Sequence, residues 1–298
     1  DTNIDTCVLY HNVTSAFSLN ETNTTVNSTI QDDITITLRD GTFTWNVLCN
    51  DSGSNSAFNA TNYTVNVDTV LPKITFESTT ALNNSFVANN YITINLSATD
   101  NNTANLTFYL YNSSLDLINE TTYYAFNNTN STINITNLQD QDELYYYNAT
   151  IIDKAQNQNS TKTRHITLDN TNAQIAFDQG TAPNNTFFNR DWVFINVSVN
   201  ETNFANITYY LYDSSFSLIN ETNFTTQTYM LNITQLADRN EQYYYNVTVR
   251  DQASNEFSSE TRVITLDSLN PGIDYELPTP GNNTNQSSQS TIINVSIT

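Results

Sequence analysis

YYYNVTVRDQASNEFSSETRVITLD, residues 243–267, decides the fold, because YYYNATIIDKAQNQNSTKTRHITLD stands 98 residues earlier at 145–169. Within the later copy Val247 and Val249 alternate with Asn246 and Thr248, a period of two that turns apolar side chains to one face of a strand. Upstream, NITYYLYDSSFSLINET from Asn206 repeats NLTFYLYNSSLDLINET from Asn105 at an offset of 101, so three residues are lost around segment 123–133. DGTFTWNVLCND from Asp40 aligns with DELYYYNATIID from Asp142, and Asp68, Asp169 and Asp267 close successive repeats. PGNNT from Pro280 then matches PNNTF from Pro183, and INVSI from Ile293 matches INVSV from Ile195.

The same alternation runs through Ile92, Ile94, Leu96 and Ala98 against Thr93, Asn95 and Ser97. Half-buried antiparallel strands follow, about seven in each repeat of about 100 residues, separated by Asn/Asp/Ser turns. The expectation is an all-β chain of tandem immunoglobulin-like or fibronectin III-like antiparallel β-sandwich domains. Its bounds are 1–68 for a domain without its first two strands, 69–169 and 170–267 for two more, and 268–298 for the first strands of a further one. One large β-barrel or solenoid is the competing architecture.

The linker VDTVLPKI from Val67, the motif YYYNVTV and the D-x-A-x-N hairpins at Asp153–Asn157 and Asp251–Asn255 resemble the Ig-like repeats of large archaeal and bacterial cell-surface proteins. TCVLY, DGTFTW and CND, with Cys7 and Cys49, are similar to the disulfide-bearing variant of those repeats. The resemblance covers essentially the whole chain and implies a surface location. It leaves the molecular role open, since such repeats occur in adhesins, stalks, surface layers and filaments.

Charged residues are 13 % of the 298, but Asp and Glu outnumber Lys and Arg 30 to 9, a net charge of −21. That charge repels phosphate backbones and excludes nucleic acid as a natural partner. It suits divalent cations or the colloidal stability of an exposed polymer. No run of eighteen apolar residues and no basic-then-apolar leader occurs, so this stretch carries neither a transmembrane segment nor an export signal.

About 30 Asn-x-Ser/Thr tripeptides occur, against about a dozen expected from composition. The candidate N-glycosylation sites are Asn12, Asn20, Asn59, Asn83, Asn95, Asn105, Asn112, Asn119, Asn134, Asn148, Asn159, Asn184, Asn196, Asn206, Asn220, Asn232, Asn246, Asn282 and Asn294. Asn95, Asn148, Asn196, Asn246 and Asn294 lie out of phase with the apolar residues of their strands, so glycans there would project into solvent. Glycosylation implies export and an extracellular or cell-surface location.

Cys7 aligns with Phe108 and Tyr209, and Cys49 with Ile151 and Val249, inward positions on two strands expected to face across one core. A disulfide there replaces an apolar contact; free buried thiols are the alternative. Where the last strand of one domain meets the B–C and F–G loops of the next, Asp68 approaches Asp100 and Asp153. Asp169 approaches Glu201 and Asp251 in the same way, with Asp140 and Asp142 near. Such carboxylates could hold Ca2+ and stiffen the array, or simply be solvated turn residues. No other cofactor is expected.

Catalytic chemistry finds little to work with. His11 follows a strand and His165 alternates outward, neither beside a nucleophile and an orienting acid. Only five Gly occur, none in a phosphate-cradling motif. Lys73 aligns with Gln174 and Gly272, which argues against a repeated Lys–Asn isopeptide. The expectation is a non-enzymatic structural subunit of an extracellular, N-glycosylated filament or coat; an adhesin stalk and a carbohydrate- or protein-binding surface protein are the alternatives. Aligned on the repeat, the chain starts just past the point where it stops. Partner copies joined head to tail by strand complementation, or a window on one longer array, both account for that.

Overall fold

The alternating pattern sets the strands. A computed structural model describes residues 3–13, 16–23, 33–124 and 131–298 and contains 25 strands and no helix among them. Asp1, from which the chain-end alignment runs, and the side chain of Asn20 lie outside the described residues. The chain divides into unit 1, Asp1–Leu82 with Thr93–Ile135 and Tyr145–His165, and unit 2, Asn83–Ile92 with Thr136–Leu144 and Ile166–Thr298.

Unit 1 begins with β1 (Ile4–His11), β2 (Ser18–Asn23), β3 (Gly41–Asp51), β4 (Ser56–Phe58) and β5 (Tyr63–Val67). These form one antiparallel sheet in the order β2-β1-β3-β4, with β5 also on β3. Cys7 and Cys49 are disulfide-bonded. They sit directly opposite each other on neighbouring strands, so the bond staples one sheet; the expectation that it spans a core is corrected. Alignment marks both residues as inward-facing, but it does not say whether their strands are neighbours or face each other. His11 is likewise the buried last residue of β1, not a residue beyond it.

The middle stretch holds β6 (Lys73–Phe76), β7 (Ser85–Val87), β8 (Ile92–Thr99), β9 (Thr103–Tyr111), β10 (Leu117–Tyr124), β11 (Ser131–Ile135), β12 (Glu143–Asp153), β13 (Gln158–Ser160) and β14 (Arg164–Leu168). In unit 1, β10, β9 and β12 run antiparallel in that order with β13 on β12, while β11-β8-β6 form a second sheet. In unit 2, Ile166–Leu168 pair parallel with β7.

The remainder of unit 2 comprises β15 (Gln174–Phe177), β16 (Thr186–Phe188), β17 (Val193–Asn200), β18 (Phe204–Tyr212), β19 (Leu218–Phe224), β20 (Met230–Ile233), β21 (Arg239–Asp251), β22 (Glu256–Ser258), β23 (Arg262–Asp267), β24 (Ile273–Glu276) and β25 (Asn294–Ile297). Sheet β15-β17-β20 stacks its apolar face on sheet β16-β23-β21-β18-β19. Val193, Ile195 and Val197 of the first sheet share one core with Tyr209, Tyr245 and Val249 of the second. Two packed antiparallel sheets, with the short β16 running parallel to the last strand, make an immunoglobulin-like, fibronectin III-like sandwich.

The ribbon that leads each repeat is closed by a threonine. Thr80 Oγ1 donates to Asn95 O (2.7 Å) and accepts from Asn95 N–H (2.8 Å). Thr181 does the same for Asn196 and Thr279 for Asn294. Thr181→Val keeps the shape of the buried side chain but strands the Asn196 N–H, while the Asn196 carbonyl keeps the Asp178 N–H (2.8 Å) as its donor. It is therefore expected to cost about 1–3 kcal/mol. Unchanged denaturant midpoints would show that water satisfies the freed N–H.

Candidate metal centres and the asparagine network

The D-x-A-x-N hairpins put a carboxylate at the end of a long strand and an asparagine four residues on. Asp153 Oδ1 accepts the Asn157 N–H (2.8 Å) and Oδ2 accepts Asn157 Nδ2 (2.8 Å), with Gln156 taking φ +71° to close the turn. Asp251 and Asn255 repeat this at 2.8 and 2.7 Å, with Ser254 at φ +75°. Each asparagine also reaches back to the residue that closes the preceding repeat. Asn157 Nδ2 donates to the backbone carbonyl of Asp68 (2.9 Å), and Asn255 Nδ2 to that of Asp169 (2.8 Å).

Both expected acidic triads assemble. In unit 1, Asp68, Asp100 and Asp153 place carboxylate oxygens within 4.8 Å of one another, and in unit 2 Asp169, Glu201 and Asp251 do the same. Asp153, Asp169 and Asp251 are buried. A second pair of asparagines ties each cluster together. Asn102 donates its amide to Asp68 Oδ2 (2.6 Å) and its backbone N–H to Asp100 Oδ1 (2.6 Å). Asn203 donates to Asp169 Oδ2 (2.8 Å), to Asp142 Oδ1, and through its N–H to Glu201 Oε1 (2.8 Å). Asp142 therefore joins the unit 2 cluster, while Asp140 bonds Asn170 instead.

Asn157 and Asn255 close the D-x-A-x-N motif, but Asn102 and Asn203 escape a motif search because Asn is everywhere in this chain. Their signal is positional: Asn102 and Asn203 occupy one place in the repeat, Asn157 and Asn255 another. The first sheet carries the same hairpin, with Asn55 donating to both oxygens of Asp51 and Ser52 N–H donating to Asn3 O. Those bonds from Asn55, side chain first, hold the Asp51 carboxyl below the usual range.

Burial raises Asp142 above the ordinary carboxylate range, and the neighbouring Asp169 charge adds to it. Burial likewise raises Glu201, reinforced by Asp251 and Asp169. For Asp169 burial pushes upward too, but the bonds from Asn203 and Thr171 together outweigh it and leave the carboxyl lowered. The signs oppose each other. The raised acids stabilise the fold below about pH 4, and that contribution is lost as pH climbs through their raised values; Asp169 contributes above about pH 4 and loses it on acidification. Raising the pH from about 4 to about 7 without divalent cations is expected to lower the Tm of unit 2. Asp142→Asn should flatten that fall; a slope unchanged in the variant would place the pH dependence elsewhere.

The sequons fall where alternation puts them. Asn95, Asn148, Asn196 and Asn246 are half-buried between core residues on their strands, and Asn294 is exposed. Their amides are engaged: Asn95 Nδ2 bonds Thr79 Oγ1, Asn148 Nδ2 bonds Thr163 Oγ1, Asn196 Nδ2 bonds Gln179 O, Asn246 Nδ2 bonds Thr261 Oγ1 and Asn294 Nδ2 bonds Leu277 O. The aromatic runs point inward at alternate rings, since Tyr145, Tyr147, Tyr243 and Tyr245 are buried.

Fibronectin(III)-like modules of Clostridium thermocellum CbhA are similar in structure to the chain, with a TM-score of 0.36 and 13% identity over 65% of this chain and 92% of that one. The FN1-FN3 domains of chicken CNTN1 match at 0.35 and 9%, covering 89% and 90%. A tetra-tandem repeat in the extending region of a large adhesion protein matches at 0.38 and 15%, covering 90% and 68%. No protein-family model and no curated protein matches the chain. Among the described residues no helix is long and apolar enough to cross a membrane.

Proposed function

We propose that this chain is a structural strut of an extracellular, N-glycosylated surface assembly, a filament or coat, whose repeats are locked by a recurring Asp–Asn network and which performs no catalysis. The observation that carries this reading is the duplication of one network. The Asp68, Asn102, Asp153 and Asn157 set recurs as Asp169, Asn203, Asp251 and Asn255, each ending in a hydrogen bond from an asparagine amide to the backbone carbonyl of the residue that closes the preceding repeat. Catalytic sites break repeat symmetry, whereas stiffness along an array requires it. An adhesin stalk uses the same device and differs only in what it carries at its tip.

Ca2+ is the cation that suits these clusters, being a hard ion that takes six to eight oxygens. Rotating the amide of Asn102 or Asn203 about its last torsion exchanges an Nδ2 donor for an Oδ1 ligand, so the same residues serve with or without the ion. Added Ca2+ would neutralise the crowded carboxylates and is expected to abolish the fall in unit 2 stability with pH. Stability that ignores both Ca2+ and chelator would leave the amides alone to hold the clusters.

The surface assignment is tested by peptide mass mapping of native material. Sugar is expected on Asn95, Asn148, Asn196 and Asn246, whose strand positions face away from the cores; finding all four bare would sink the glycoprotein reading.

A further inference from the structure

The outer faces of the two sister repeats share a device that the first sheet lacks. Asn148 lies directly opposite Tyr109 on the neighbouring strand, and two residues along Tyr146 lies opposite Tyr111. Asn246 and Tyr210 repeat the first pair, Tyr244 and Tyr212 the second. Tyr109 stacks on Tyr111 at 6.4 Å and Tyr210 on Tyr212 at 6.3 Å. All of these tyrosines alternate with core residues and are half-buried. Phe216 adds a further ring, stacked on Tyr244 at 4.0 Å and 61% exposed, although its φ of +60° is one that bulky side chains rarely take.

Asn46 holds the same place in the first sheet, opposite Tyr10. It starts no sequon, because Leu48 stands where Thr150 and Thr248 stand. There the protein covers the asparagine itself. Asn46 is 4% exposed, and its amide spends both N–H groups, on Asn59 O (2.9 Å) and Asn62 Oδ1 (2.7 Å). Phe58, paired with Leu48, turns edge-on to Tyr10 at 5.0 Å. The second aromatic pair is replaced by Asn12 and Thr44, which bond each other.

In the sister repeats Ser160 and Ser258 take the place of Phe58, short hydroxyls bonded to Thr150 and Thr248 at 2.8 and 2.7 Å. Asn148 and Asn246 each spend one N–H on a threonine, Thr163 or Thr261. Among the described residues the other N–H meets no acceptor.

We propose that the sugar N-linked to Asn148 and to Asn246 lies back on the outer face, its first pyranose ring against Tyr109 or Tyr210 in the place that Phe58 takes against Tyr10. This rests on the glycoprotein reading and says what the glycan does there. Attachment exchanges the free Nδ2–H for a bond to the anomeric carbon, the proton leaving with the phosphate of an activated glycosyl donor. A pyranose presents a face of C–H groups that suits the negative face of a tyrosine ring, and its hydroxyls suit Thr248 and Ser258 beside it. The tether makes the contact intramolecular, so weak stacking suffices. Covariation within the chain selects this occupant. The paired tyrosines stand where the asparagine starts a sequon and are gone where it does not, and an attached glycan would bar a flat protein partner from the same rings.

The test uses the glycosylated chain. Hydrogen exchange over residues 243–251 compares the unaltered chain, Asn246→Gln, Tyr210→Ala and the double variant. Tyr210→Ala should accelerate exchange about fivefold more when the sugar is present than beside Asn246→Gln, the size of one stacking contact. The same four chains made without glycosylation should lose protection independently, which removes any coupling between the two side chains themselves. If Tyr210→Ala unfolds unit 2, Tyr210→Leu with a 13C-labelled glycan reads the contact directly: ring currents should move the first sugar's proton signals upfield, and the variant should return them. Sugar on Asn246 with unmoved signals, or equal coupling with and without glycan, would overturn the proposal and leave the glycoprotein reading standing. Asn148 and Asn246 bare beside sugar on Asn95 or Asn196 would do the same, whereas sugar on none of the four would end both.

Discussion

Reduction of the Cys7–Cys49 bond is expected to destabilise the β1–β5 sheet by about 4 kcal/mol, the chain-entropy cost of releasing a loop of this length. The two cysteines are 42 residues apart and bridge adjacent strands. Their sheet has more need of a staple than its sister domains. In unit 2 a second sheet buries Tyr245, Val247 and Val249, whereas the matching Trp45 is 37% exposed. The disulfide therefore takes over part of what burial does in the sister repeats, where Ile151 and Val249 occupy the position of Cys49 and are fully buried. Hydrogen exchange read by mass spectrometry should show residues 41–51 losing protection on reduction while residues 243–251 keep theirs. Equal loss in both stretches would mean that the two regions unfold together; no loss in either would mean that the β1–β5 sheet stands without its bond.

Much of this architecture was legible because period-two alternation is imposed by strand geometry and the repeat confirms it independently. Ile92, Ile94, Leu96 and Ala98 were expected to point inward and are buried. The acidic triads were legible for a similar reason: a residue that closes one repeat must meet the loops at the head of the next. What composition hides is the asparagine network. An Asn that caps a turn, an Asn that carries a sequon and an Asn that bridges two repeats have the same one-letter code, and only position within the repeat separates them. The threonine closure at Thr80, Thr181 and Thr279 went unread for the same reason, since a Thr near a strand end is ordinary. The disulfide shows the complementary limit. Inward direction could be inferred for Cys7 and Cys49, but adjacency in a sheet depends on strand order, which pairing across non-consecutive strands determines.

Loss of a single bridging amide should be the most damaging change at a repeat boundary. Asn255→Ala removes the donor to Asp251 Oδ2, on a carboxylate that is 2% exposed, and the donor to the Asp169 carbonyl, on a residue that is 0% exposed. A charged acceptor and a peptide carbonyl are then both buried without their partner, and water has little access to either. The expected cost is about 3 kcal/mol, within the range for stranding a buried charged acceptor. The chain contains its own control. Asn55 holds the same hairpin position in the first sheet, but among the described residues its amide meets only Asp51, which is not buried. Asn55→Ala should therefore cost about 1 kcal/mol or less, as water replaces the lost bond. Denaturant unfolding of the two variants separates bridging from turn closure, because turn closure predicts equal losses and bridging predicts the larger loss at Asn255 alone. Repeating Asn255→Ala in Ca2+ then identifies what else can fill the amide's place. A cation bound between Asp169, Glu201 and Asp251 would satisfy the stranded carboxylate and shrink the penalty, whereas a penalty unmoved by Ca2+ would make the asparagine amide the sole tie between Asp251 and the residue that closes the preceding repeat.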